Sequence, residues 1–136
     1  MLQESAHLRA EQQEDLLTVQ ILGEIDHHSA RPIREELDKL LYLCRPKKLN
    51  LDLENVSFMD SSGLGLLMGR ITLAESLCCR VCITNANRRI QRILHLAGLK
   101  RINNLVIEED GALTNGKNTD GLKKSFANRP TKSRAR

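Results

Sequence analysis

The segment Leu49-Asn50-Leu51-Asp52-Leu53-Glu54 alternates apolar and polar side chains without a break. Successive strand residues point to opposite faces, so such a strand has one greasy face and one wet face. A strand enclosed between two helix layers is apolar nearly throughout. The chain therefore predicts a sheet whose helices mainly cover one face. A second alternating run, roughly residues 16–23, puts Leu17, Val19 and Ile21 on one side. A weaker one, Leu8 to Gln12, is placed to pair with it as a hairpin.

Helical stripes separate the later strands. Ser29 is a plausible N-cap with Pro32 in the first turn, and Ile33, Leu37, Leu40, Leu41 and Cys44 fall on one face before Arg45-Pro46 ends the run. Val81-Cys82-Ile83 is a short buried strand. Asn87 caps a helix carrying Ile90, Ile93, Leu94 and Ala97, with Gly98 as a left-handed C-cap. Leu105-Val106-Ile107 closes the pattern. Strands separated by helices imply an α/β fold with a mixed, largely parallel sheet and right-handed crossovers.

With no Trp, one Tyr and two Phe in 136 residues, the core must be aliphatic. Residues 1–113 read as one domain. They carry fourteen lysines and arginines against sixteen acids, whereas residues 114–136 carry seven against one, Asp120. From about Asp110 apolar residues become too few to offset the entropy of ordering, so 114–136 reads as a basic, flexible tail. No run is apolar enough to span a bilayer, and the polar N-terminus lacks the basic and apolar segments of a secretory signal. Cys44, Cys78, Cys79 and Cys82 read as reduced thiols of a cytoplasmic protein. Cys79 and Cys82 have metal-ligand spacing but no second pair to complete a site, so neither a metal nor a cofactor is expected.

The chemistry concentrates in Met59-Asp60-Ser61-Ser62-Gly63-Leu64-Gly65, where a strand turns directly into a helix. Free N–H groups and the positive end of the macrodipole favour an anion there. Local sequence alone favours capping by a serine. A phosphate on Ser61 would meet the N–H groups of Gly63 and Leu64, with Gly63 and Gly65 leaving the backbone uncrowded. In the helix, Leu64, Leu67, Met68 and Ile71 form the expected inward stripe, leaving Leu66 off it as an exposed anchor. About thirty residues upstream, Gly23-Glu24-Ile25-Asp26-His27-His28 reads as a loop, in which Asp26 makes a local turn and the adjacent histidines project apart.

Together, Leu22-Gly23-Glu24-Ile25-Asp26-His27-His28-Ser29-Ala30, the Val56–Gly65 block and the small-residue turn His95-Leu96-Ala97-Gly98-Leu99 resemble the bacterial anti-sigma factor antagonists. These are STAS-domain proteins, and the sporulation type is the nearest in pattern. The resemblance spans about residues 8–113. It implies a STAS fold and a protein that binds an anti-sigma factor, itself a serine kinase holding ATP or ADP, and so frees a sigma factor. It further implies that the kinase phosphorylates Ser61, with Ser62 as second choice, that phosphorylation releases the antagonist, and that a metal-dependent serine phosphatase resets it. Asp26, Asp60, Ser61, Ser62, Gly63 and Leu66 are the partner-binding positions on this reading. The family usually adds a helix after its last strand, and Glu108–Leu113 offers only a short turn.

Other classes fit less well. The serine turn lacks the Gly-x-Ser-x-Gly elbow, and no phosphate-cradling Gly-x-x-x-x-Gly-Lys occurs, so no enzyme is expected. The tail could attract nucleic acid through charge, but with Phe126 as its one aromatic it offers no stacking platform, and no specific nucleic-acid or membrane partner is expected. A STAS module of another system, such as a stress-signalling scaffold or a general-stress antagonist, is the alternative.

Overall fold

The computed structural model describes residues 2–109 and 112–113. The elements run β1 (Leu2–Glu4), β2 (Leu8–Gln13), β3 (Leu16–Ile21), β4 (Gly23–Ile25), α1 (Ala30–Cys44), β5 (Lys48–Asp52), β6 (Val56–Met59), α2 (Ser61–Ser76), β7 (Arg80–Thr84), α3 (Arg88–Leu96), a 3-10 turn (Leu99–Arg101), β8 (Leu105–Glu109) and β9 (Ala112–Leu113). The main sheet has the order β1-β2-β3-β5-β7-β8-β9. Its centre, β3-β5-β7-β8, is parallel, and the flanking pairs β1-β2, β2-β3 and β8-β9 are antiparallel. The expected hairpin of the second and third strands is present. The tail, 114–136, lies outside the described residues.

The alternation in β5 is realised as expected. Leu49, Leu51 and Leu53 join Leu17, Val19, Ile21, Val81, Ile83, Leu105 and Ile107 in one core, and every buried apolar side chain of α1, α2 and α3 belongs to that same cluster. On the opposite face the register sets Gln20 beside Asp52 and Asp52 beside Thr84. There Gln20 Nε2 donates to Asp52 Oδ2 (3.2 Å), Asn85 Nδ2 to Asp52 Oδ1 (3.0 Å) and Thr84 Oγ1 to Asn50 Oδ1 (3.0 Å). This hydrogen-bonded ladder satisfies a carboxylate that would otherwise be costly to bury. Leu16, Cys82 and Val106 form a small separate cluster that includes no residue of the three described α-helices.

At α3 the helix ends follow the local chemistry. Asn87 Oδ1 accepts the Ile90 N–H (2.9 Å), and Gly98 takes φ +80° as the chain leaves α3. At α1 the expected serine cap is replaced. Ser29 is already helical and its hydroxyl donates to the Glu24 carbonyl, while Asp26 Oδ1 accepts the His28 and Ser29 N–H groups.

Cys79 packs in the main core and Cys82 in the small cluster, whereas Cys78 is exposed. Burial pushes both Cys79 and Cys82 up to about 12. Both thiols stay protonated at neutral pH, and thiolate is the reactive form. Iodoacetamide at pH 8 is expected to label Cys78 rapidly and Cys79 and Cys82 only on unfolding, as read by mass spectrometry. Because the unfolded chain ionises these thiols near 9, their contribution to stability is complete below that pH and declines as pH rises toward 12.

Candidate functional site

β4 and β6 form a separate two-stranded parallel ribbon, in which Glu24 pairs with Phe58 and Ile25 with Met59. The Asp60 N–H donates to the Ile25 carbonyl (3.2 Å). Parallel strands end on the same side. The ribbon therefore sets the turn after β4, which holds Asp26, beside the turn after β6, which holds Asp60, Ser61 and Ser62. The carboxyl ends of parallel strands are the usual place for binding loops. Residues 23–25, read from sequence as loop, are thus a strand. Three residues are too few for alternation to declare itself.

Asp60 is the N-cap of α2. Its Oδ1 accepts from Ser62 N–H (2.8 Å) and Gly63 N–H (3.4 Å), and its main-chain carbonyl accepts from Gly63 (3.0 Å) and Leu64 (3.2 Å). The donors expected to greet a phosphate on Ser61 are therefore already used. The cap is the aspartate and neither serine. Ser61 is exposed and its hydroxyl makes no hydrogen bond with the described residues; Ser62 is half-buried.

Two other expectations change with the orientation of α2. Leu66 is 5 % exposed and is a core residue, whereas Met68, expected to point inward, is 41 % exposed. Gly63 is buried and not on an open surface. A Cβ on Gly63 would fall 2.1 Å from Met59 Cγ and 3.0 Å from Ile25 Cγ2. The buried stripe runs Gly63, Leu66, Leu67, Ile71 and Ala74. It begins one residue earlier than the leucine pattern suggested, because its first member is a glycine that hydropathy does not register. One residue is about 100° of helix rotation. The outward stripe is accordingly Ser61, Gly65, Met68 and Thr72.

Asp26 makes the local turn already described. The Ser29 N–H bond is the main cause that holds its carboxyl below the ordinary value. His27 and His28 are exposed, with ring centroids 3.9 Å apart. Among the described residues no group of three or more His, Cys, Asp or Glu converges on a point that could hold a metal ion.

Gly63→Ala is expected to overpack the junction with Met59 and to cost about 1–3 kcal/mol. Gly65→Ala meets nothing within 4 Å and should gain up to about 1 kcal/mol from helix propensity. Urea midpoints of the two variants should move in opposite directions.

Comparison with known proteins agrees with this geometry. The STAS domain family matches residues 7–112. An anti-sigma F factor antagonist from Paenibacillus polymyxa is 32% identical over 107 residues, covering 79% of this chain and 92% of its own. An anti-sigma-B factor antagonist from Bacillus subtilis (strain 168) is 32% identical over 102 residues, covering 75% and 92%. Among solved structures, the Bacillus cell fate determinant SpoIIAA in its phosphorylated form superposes with a TM-score of 0.60 at 21% identity, covering 87% of this chain and 98% of that one, a likeness of fold. The chain belongs to the STAS-domain anti-sigma factor antagonists, which are regulatory binding proteins and not enzymes.

Proposed function

We propose that this protein, in its unphosphorylated form, docks on an anti-sigma factor that is a serine kinase, and that phosphorylation of Ser61 ends the association. Docking frees the sigma factor for transcription. The kinase transfers the γ-phosphoryl group of ATP to Ser61 Oγ, leaving ADP and releasing the hydroxyl proton. A metal-dependent serine phosphatase hydrolyses the ester and restores the binding form. On this reading the protein is a cytoplasmic phosphoprotein.

The observation that carries this reading is the exposed, unengaged Ser61 hydroxyl beside the Asp26 turn. An acceptor must reach a kinase active site, which favours Ser61 over the half-buried Ser62. The docking surface comprises Asp26, Asp60, Ser61 and Ser62, with exposed Met68 as the apolar anchor in place of Leu66. A phosphate brings about −1.5 to −2 charges. Because Asp60 already occupies the Ser62 and Gly63 N–H groups, the new charge finds neither of them free and lies next to a carboxylate. The free protein loses nothing, since no contact of the fold uses that hydroxyl. At an interface the same charge must be desolvated, which costs roughly 2–5 kcal/mol when unpaired. The switch therefore acts by repulsion and desolvation and needs no refolding.

Sporulation and general-stress control remain two versions of this function. Relatives of each kind match at the same 32% identity. Incubation with purified anti-sigma kinases of both kinds should identify the partner.

Ser61→Asp is expected to weaken the kinase complex by about 30- to 5,000-fold with an unchanged far-UV circular dichroism spectrum. Ser61→Ala should bind normally and stay bound in the presence of ATP, while Ser62→Ala should still be labelled and released. Label found on Ser62 alone, or release of Ser61→Ala by ATP, would refute the assignment.

A further inference from the structure

Between α1 and the first half of α2 lies an open cleft of about 560 Å³. His27, Arg31 and Arg34 line it from one side, and Ser62, Gly69 and Arg70 from the other. No acidic side chain lines it. Two of the lining arginines have carboxylate neighbours: Asp38 Oδ1 lies 2.8 Å from Arg70 Nε, and Glu35 Oε2 lies 3.4 Å from Arg31 Nε. The Asp38 contact is close but poorly directed as a hydrogen bond, and Arg70 Nη1 has no hydrogen-bond partner among the described residues. Yet the Arg70 side chain is only 11 % exposed. Burial lowers its pKa; Asp38 opposes that shift and the neighbouring Arg34 adds to it. A buried guanidinium with unused donors is costly unless something pairs with it.

The wall contributed by α2 is bare. Cβ atoms built on Gly65 and Gly69 would meet nothing within 4 Å. An occupant can therefore approach the helix backbone in a cleft that three arginines line. Guanidinium forks match carboxylate and phosphate oxygens. One carboxylate is satisfied by a single fork, whereas three forks suit a group with more oxygens. The volume falls within the roughly 300–1,000 Å³ typical of small-molecule sites. The lining has no Phe, Tyr or Trp, so a nucleobase would find no broad stacking surface.

We propose that this cleft binds a compact, multiply charged phosphate compound without an aromatic base, held by Arg31, Arg34 and Arg70 against the glycine wall of α2. The site does not depend on the phosphoacceptor reading of Ser61. Its occupant would touch Ser62 and so lie next to that turn.

The test is calorimetric titration of the full chain with sodium pyrophosphate, against sodium chloride of matched ionic strength. Saturable one-to-one binding is expected. Arg34→Gln, which removes an exposed side chain with no ion pair among the described residues, should weaken it by about tenfold, the worth of one charge-assisted hydrogen bond. Gly69→Leu should fill the cleft and abolish binding while the circular dichroism spectrum stays the same. Arg34→Gln reads the same site without touching the helix wall, so the outcome does not hang on the folding of Gly69→Leu. Binding that both variants retain belongs to the basic segment 114–136 and overturns the proposal. Heat reproduced by sodium chloride, or ADP binding far more tightly than pyrophosphate, overturns it as well.

Discussion

One short hydrogen-bonded ribbon positions everything of functional interest. The pairing of β4 with β6, completed by the Asp60 N–H bond to the Ile25 carbonyl, holds two turns side by side although they lie more than thirty residues apart in the chain. Without it, the Asp26 turn and the serine turn would be separate surface features. Their packing is reinforced from below: Ile25, Val56 and Met59 are buried in the main core, and Gly63 is pressed against Met59 and Ile25. The close fit of that glycine fixes where α2 leaves the strand, and hence which way its first serine points.

The carboxylate of Asp60 then divides the labour of the turn. By taking the first-turn donors it stabilises the helix without help from either serine, an arrangement worth about 0.5–2 kcal/mol for a side-chain cap. The hydroxyl of Ser61 is left unemployed by the fold. A residue free of structural duty can be modified without disturbing its scaffold, and on the proposed reading an added phosphate would find the Ser62 and Gly63 N–H groups already taken. On the proposed reading, stability and switching fall to adjacent residues.

Much of this was legible before any coordinates. The polar side of the Leu49–Glu54 alternation required a face without helices, and the ladder of Gln20, Asp52, Asn85 and Thr84 is what occupies it. Asn87, Gly98 and the apolar stripe of α1 act as their residue types suggest. The misreadings have two causes. Leu66 and Met68 exchange roles because the buried stripe of α2 starts on Gly63, and a glycine contributes no hydropathy to a periodic pattern. Asp26 and Asp60 displace serines as caps because several residue types compete for the same backbone donors, and the geometry of the preceding strand decides among them.

Sequence alone determined the aliphatic core, the one-sided helix layer, most of the order of strands and helices, and the motifs that mark the family, since each depends on residue type and spacing along the chain. Tertiary structure decided which motif residues reach solvent, that the two turns are neighbours, and that three arginines from two helices share a cleft. Those outcomes depend on helix rotation and on pairing between distant segments. Both are set by packing contacts such as Gly63 against Met59, which a linear pattern does not encode.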